Sequence, residues 1–186
     1  MTIESAQQEI ARELAANESL LWYGAPRQGI RFRASDAFMI PFSLLWGGFA
    51  MLWEATVVVS HAPLLFELWG IPFVAIGVYM IAGRFWVDSM LRARTAYGLT
   101  NTRAIIVSGL RSRSVKSLPL KTLSVVALTE RSDKSGTITL GPASPFSRFN
   151  GVASWPGSAS TVTPAFEMVE DARTVYETVR TAQTAA

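Results

Sequence analysis

The sequence predicts an α+β membrane protein, in which a two-helix transmembrane hairpin is joined to a small β-sheet domain with a C-terminal capping helix. Two observations support this fold class. The apolar runs 37–59 and 64–85 are separated only by Ser60-His61-Ala62-Pro63, and each is long enough for a helix to cross a bilayer core of ~30 Å. After them, β-branched residues alternate with period two until a final amphipathic segment.

The elements follow in order along the chain. Residues 1–18 are predicted to form an amphipathic helix, and residues 19–34 to form two short strands. Residues 35–86 are predicted to form the hairpin, and residues 92–186 the cytoplasmic domain. Five strands are expected after the hairpin, at 95–99, 103–108, 115–118, 123–129 and 137–140.

The chain is predicted to close with one helix. Thr163 is a suitable N-cap and Pro164 a suitable first residue, and a stripe that starts at Phe166 is apolar. The preceding segment 141–163 is rich in Gly, Pro and Ser. A loop of this length is uncommon in a small domain, so we expect it to be either functional or partly disordered.

The charge distribution predicts the orientation of the hairpin. Three of the four arginines in segment 1–36 lie within ten residues of the first apolar run, and segment 84–121 holds eight basic residues against one acid. Segment 54–67, between these regions, has no Lys or Arg. The positive-inside rule therefore places both termini in the cytoplasm and predicts a multi-pass protein of the cytoplasmic (inner) membrane. Contact with an anionic leaflet explains the basic balance, so no nucleic-acid partner is expected.

Composition excludes several kinds of catalytic site. The chain has no cysteine and a single histidine, His61, which excludes thiolate chemistry and makes a multi-histidine metal site untenable. It has no P-loop, nucleophile elbow, dinucleotide-binding fingerprint or zinc spacing. We therefore expect no catalytic residues, no metal and no cofactor.

A resemblance refines the predicted fold. The motif Arg92-x-Arg94-Thr95-x-Tyr97-x-Leu99-Thr100-Asn101-x-Arg103, followed by an apolar run, resembles the hairpin signature of bacterial membrane proteins with a pleckstrin-homology-like (PH-like) domain. Trp22-x-Gly24-x-Pro26 is similar to the entry motif of that family, and the closing helix also fits it. The resemblance implies a seven-stranded, strongly bent β-sheet or barrel capped by a helix. The short strands within residues 19–34 would then join this domain and supply the two strands that the segment after the hairpin lacks. The resemblance implies no particular activity, because a fold alone does not determine function.

The candidate site is basic. Seven arginines are candidates for contact with lipid headgroups or the membrane surface: Arg27, Arg31, Arg33, Arg84, Arg92, Arg94 and Arg103. Two guanidinium groups on one strand face are able to clamp a phosphate. The alternative is that these charges only set the membrane topology or contact bulk anionic lipid.

Two further groups of residues are weaker candidates. Phe146, Phe149 and Trp155 lie in the long loop, and they are expected either to contact the bilayer or a partner or to pack beneath the loop. Glu54, His61 and Glu67 flank the outer turn of the hairpin. A proton relay or transport role for these three is a minor alternative to a solvated rim.

The sequence thus favours a non-enzymatic, membrane-anchored protein that presents a PH-like domain for binding or assembly. Its expected partners are the anionic phospholipid bilayer and an unidentified membrane or cytoplasmic protein, and a homo-oligomer is possible. The sheet edge or the groove between helix and sheet is the expected place for a peptide. Recognition of anionic headgroups by the arginines is the alternative function.

Overall fold

The computed structural model describes residues 2–29, 36–110, 112–142 and 163–185. These residues form two compact units. Residues 36–88 belong to the first, called the helical hairpin here, and the remaining described residues belong to the second, called the β-domain. The architecture is α+β with antiparallel sheets, as the sequence predicts.

The helical hairpin contains two long apolar helices. Helix α2 spans Asp36–Val59, and α3 spans Leu64–Val78. A π-helical turn at Tyr79–Gly83 continues α3 into α4, Arg84–Ala93, so that helical structure runs without a break from Leu64 to Ala93. Both helices are long and apolar enough to cross a membrane, by length and composition. The last five residues of α4 belong to the β-domain.

Small residues lie where α2 and α3 pack together. Ser43, Gly47 and Ala50 are buried on α2, and Gly70 and Gly77 are buried on α3. A Cβ atom added at Gly77 would lie only 2.8 Å from the Cα atom of Gly47. Glycines at this point therefore let the two backbones approach closely, as expected for helix pairs in a membrane.

The β-domain contains seven strands among its described residues. Strands β1 (Leu20–Gly24), β2 (Ala96–Thr100), β3 (Arg103–Ser108) and β4 (Ser114–Pro119) form one antiparallel sheet in that order. A 3₁₀ turn, Leu120–Thr122, leads to a second antiparallel sheet of β5 (Val126–Glu130), β6 (Gly136–Leu140) and β7 (Ala165–Val169). The single bent sheet or closed barrel that we expected is therefore not found, because no ladder joins the two sheets in the described residues.

The core of the β-domain lies between the two sheets and helix α5, Ala172–Ala185. Phe166 is fully buried there, and its ring packs against Tyr97 and Trp22 at centroid distances of 5.0 and 5.5 Å. Near the C-terminal end of α5, the Gln183 side chain donates to the carbonyls of Leu120 and Leu123. Helix α5 thus caps the core, as the sequence predicts.

The prediction for the residues before α5 was wrong. Residues 165–169 form strand β7, and α5 begins only at Ala172. The strand pairs with β6, which sets Phe166 opposite Ile138 and buries both side chains. The apolar residues at 166 and 169 have the spacing of a helix face, but burial against the sheet decides the local structure.

The N-terminal helix is shorter than predicted. Helix α1 spans Ile3–Ala11, and the Thr2 side chain caps it by accepting from the backbone N–H of Ser5. Its buried residues, Ala6 and Ile10, pack on the outer face of the first sheet. Gly98 on β2 permits this contact, since a side chain there would overlap Ile10. Strand β2 is consequently buried along its whole length.

Candidate functional site

Arg103, the first residue of β3, binds both carboxylate oxygens of Glu18. Its Nε and Nη2 atoms donate to Oε1 and Oε2 of Glu18 at 2.7 and 2.8 Å. Arg103 also donates to the carbonyl of Glu13 and the hydroxyl of Ser117. These contacts hold the segment between α1 and β1 against the first sheet. The guanidinium group of Arg103 is therefore used for hydrogen bonds within the β-domain.

The same ion pair has an electrostatic consequence. The hydrogen bonds from Arg103 lower the pKa of Glu18 from 4.5 to about 2, and the backbone N–H of Ala15 and the Thr102 hydroxyl act in the same direction. Glu18 in turn raises the pKa of Arg103. The pair is bidentate and its carboxylate is largely buried, which is the arrangement in which an ion pair contributes measurably to stability.

Substituting Glu18 by glutamine is expected to lower the free energy of unfolding of the β-domain by about 1–3 kcal/mol at neutral pH. Because the pKa is depressed in the folded state, the wild-type contribution is complete above pH 4.5 and is lost as the pH falls towards 2. Denaturant unfolding at pH 7 and pH 3 should therefore show a smaller difference between variant and wild type at pH 3. Glu130→Gln, which breaks a more exposed pair with Arg173, is the control and should change stability by less than about 1 kcal/mol. An equal effect of Glu18→Gln at both pH values would contradict this assignment.

Arg27 is also used within the β-domain. Its guanidinium pairs with Asp133 at 2.6 Å and with Glu170 at 3.2 Å, and its backbone N–H donates to the carbonyl of Met168. The hydrogen bond to Glu170 and the neighbouring charge of Asp133 raise the pKa of Arg27. Arg27 therefore links the segment after β1 to the turns that flank β6 and β7.

Arg92 and Arg94 occupy different environments, although as alternate residues they would point the same way if both lay on a strand. Helix α4 continues to Ala93 and β2 begins only at Ala96, so neither arginine is on a strand. Arg92 is buried, and its Nη2 donates to the carbonyl of Gly29 at 2.6 Å. Arg94 is exposed, and its Nη1 donates to the carbonyl of Leu110 at 2.6 Å.

Arg84 lies at the base of the helical hairpin. Its Nη1 atom pairs with Oδ1 of Asp36 at 3.1 Å, and both side chains are buried. The guanidinium carbon also lies 4.4 Å from the centre of the Phe85 ring. This pair joins the start of α2 to the start of α4, and it stabilises the hairpin rather than presenting a charge to solvent.

The remaining predicted site residues divide into two groups. Arg31, Arg33, Phe146, Phe149 and Trp155 lie outside the described residues. Glu54 directs a buried carboxylate oxygen at Gly70, in the contact between α2 and α3, whereas His61 is exposed in the turn. Within the described ranges, no three His, Asp or Glu residues are grouped so that they would hold a metal ion.

The described residues leave open an edge of the first sheet and a groove beside α5. Strand β4 pairs only with β3 in the described part of the chain, so its outer edge is unpaired there, and its residues are exposed or half-buried. A groove of about 770 Å³ lies between the C-terminal half of α5 and the ends of the first sheet. Thr178 and Thr181 line it from α5, and Leu21 and Lys121 line it from the opposite side.

Sequence reasoning missed the acidic partners of the arginines. Glu18, Asp36, Asp133 and Glu170 each bind an arginine that we had considered for lipid contact. Three of these four pairs join residues more than eighty positions apart. The spacing of residues along the sequence does not indicate such pairs. The similar numbers of acidic and basic residues are the only feature of the sequence that signals them.

This architecture defines a class of protein in which a helical hairpin is inserted into a PH-like α+β domain. The family model described as the bacterial PH domain matches residues 48–183. The chain therefore belongs to the bacterial PH domain family, and the motif from Arg92 to Arg103 that resembles this family lies within the matched residues. Neither the curated proteins nor the solved structures contain a match to it.

Proposed function

We propose that this chain is a non-enzymatic binding module anchored in the cytoplasmic membrane by its helical hairpin. Both termini lie in the cytoplasm, and the β-domain presents a surface for a protein partner there. The single observation that supports the anchor best is the distribution of side chains on the two long helices. Small residues pack inside the pair, and large apolar residues cover its outside.

The exposed surface of the hairpin favours lipid as its surroundings. Phe38, Leu45, Val59, Leu65 and Trp69 are each exposed by about two thirds or more of their surface. Only 22% and 11% of the most apolar windows of the two helices are buried. A core helix of a soluble protein would be mostly buried, whereas exposed apolar surface on this scale is favourable in a bilayer.

The open surfaces of the β-domain favour a protein partner. Four of the five described arginines in the predicted headgroup set bind acids or carbonyls of the chain and are buried or partly buried. By contrast, the β4 edge and the α5 groove offer backbone groups and mixed apolar and hydroxyl contacts. An extended peptide is able to add to such an edge as a further strand.

Site-specific photocrosslinking in the native membrane tests the partner. A photoreactive residue at Val115 on β4 or at Thr181 in the groove is expected to capture a discrete protein, either a second copy or another chain. Glu4, which is exposed on α1, is the control position and should capture none. Crosslinks that are no more specific at positions 115 and 181 than at position 4 would contradict a partner surface.

Contact with anionic headgroups is the second candidate function. Arg94 favours it, because it is the one exposed member of the described arginine set.

A further inference from the structure

A pocket of about 200 Å³ lies on the helical hairpin, and its lining is almost entirely aromatic. Five aromatic side chains and one alanine line it: Trp46, Phe49, Ala50, Trp53, Trp69 and Phe73. Phe49 and Trp69 are each 66% exposed, so the pocket opens towards the surroundings of the hairpin. We call this space the aromatic pocket.

The rings of the aromatic pocket are turned relative to one another. Phe73 on α3 neighbours both Trp46 and Trp69, at centroid distances of 6.5 and 6.1 Å, and the ring planes are tilted by 41° and 46°. Rings in this arrangement do not stack face to face, so their π faces are not covered by one another. The quadrupole of an aromatic ring makes its face negative, and cations bind such faces, most strongly those of tryptophan.

A buried carboxyl group adjoins the aromatic pocket. Glu54 lies one helical turn after Ala50, on the same face of α2. Its carboxyl group and the Trp53 ring both reach the backbone of Gly70 on α3. The Oε2 atom of Glu54 is buried and has no hydrogen-bond partner among the described residues. An unpartnered carboxylate oxygen in an apolar environment is costly, and an ionisable side chain inside a membrane segment indicates a functional site.

The two long helices supply no cation to balance Glu54. Neither α2 nor α3 contains lysine or arginine. His61 is exposed in the turn, and Arg84 at the base of the hairpin pairs with Asp36. Glu54 lies roughly 8 Å from the end of α2 at Val59, at ~1.5 Å per residue. If the hairpin is anchored as proposed above, this depth is close to the outer headgroup layer, from which an amphiphilic cation enters a membrane.

We propose that the aromatic pocket and Glu54 together bind a hydrophobic organic cation of the quaternary ammonium class. The tryptophan rings contact the cationic centre, Glu54 supplies the opposite charge, and the open side of the pocket admits an apolar substituent. The side chains that line the pocket offer no hydrogen-bond acceptor. This favours a quaternary ammonium ion over a primary amine, because the quaternary ion has no N–H groups that need acceptors. The site is separate from the partner surface of the β-domain.

Titration calorimetry of the full chain in a neutral detergent, at constant ionic strength, tests this site. The probes are benzyltrimethylammonium and neopentylbenzene, its neutral isostere in which carbon replaces nitrogen. Glu54→Gln removes the charge, and Glu67→Gln is its matched control because Glu67 lies in the first turn of α3 and outside the pocket lining. Trp69→Leu removes one ring, and Trp86→Leu is its control because Trp86 is 67% exposed and also outside the lining.

We expect the wild-type chain to bind benzyltrimethylammonium more tightly than neopentylbenzene, because only the former carries a charge that Glu54 balances. Glu54→Gln should weaken benzyltrimethylammonium binding by about tenfold or more. Trp69→Leu should weaken it by about fivefold, the effect of losing one cation–π contact. Glu67→Gln and Trp86→Leu should each change it by less than about twofold, since neither side chain lines the pocket.

Equal binding of the two probes by the wild-type chain would overturn the proposal, and so would unchanged benzyltrimethylammonium binding by folded Glu54→Gln. The first comparison needs no substitution, so it holds even if a variant fails to fold. Binding of neopentylbenzene alone would assign the pocket to a lipid chain. A wild-type dimer that binds neither probe and that Trp69→Leu dissociates would assign it to a second copy. Both outcomes contradict a cation site, and neither bears on the partner surface of the β-domain.

Discussion

Replacing Phe166 with alanine is expected to destabilise the β-domain by about 3–5 kcal/mol, the usual cost of removing a buried aromatic side chain. Phe166 is fully buried, and its ring packs on Tyr97 and Trp22. Its side chain therefore links β7 to the first sheet. Removing the ring would leave a cavity at the centre of the core. Since small domains have a total stability of about 5–15 kcal/mol, this loss would remove from about a fifth to all of the stability of the β-domain.

Thermal unfolding of the detergent-solubilised full chain measures this effect. Phe38→Ala is the matched control, because the same side chain is removed from a position on α2 that is 67% exposed. It should leave the unfolding of the β-domain unchanged within about 0.5 kcal/mol. Equal shifts for the two variants would show that Phe166 is not part of a packed core.

Replacing Gly77 with leucine is expected to separate α2 from α3. The added Cβ would lie 2.8 Å from the Cα atom of Gly47, and backbone at that distance yields only if the helices move apart. Overpacking of this kind costs about 1–3 kcal/mol in well-packed cores, and loss of the close helix contact adds to it. We therefore expect Gly77→Leu to destabilise the helical hairpin, with a loss of stability second only to that of Phe166→Ala.

Gly48→Leu is a sharp control for this prediction. Gly48 lies on α2 next to Gly47, and a Cβ atom added there meets nothing within 4 Å. Unfolding of the full chain in increasing sodium dodecyl sulfate, followed by tryptophan fluorescence, should show a lower midpoint for Gly77→Leu alone. Similar midpoints for Gly77→Leu and Gly48→Leu would contradict the close packing of the two helices.

The sequence predicts the elements of this protein better than their assembly. Apolar runs of sufficient length predict α2 and α3, and period-two alternation predicts β2 to β6. Strand β7 was missed because Phe166 and Val169 have helical spacing, whereas pairing with β6 favours a strand. That pairing brings together residues almost thirty positions apart, and a local pattern carries no information about it.

The candidate site was less predictable than the fold. Basic residues near a membrane segment suggest contact with lipid, and this expectation depends on their being exposed. Arg84 and Arg92 are instead buried, and Arg103 binds Glu18 across the domain. Burial and long-range pairing follow from tertiary structure, so the sequence alone does not separate these arginines from Arg94.

Accessibility of single cysteines tests the membrane anchoring most directly. The chain has no cysteine, so Ser60→Cys in the hairpin turn and Thr184→Cys on α5 each introduce one unique thiol. With intact cells, a membrane-impermeant maleimide should label Ser60→Cys and should label Thr184→Cys only after the membrane is broken. Labelling of Thr184→Cys in intact cells, or recovery of the chain in the soluble fraction without detergent, would contradict a hairpin that crosses the membrane with both termini inside.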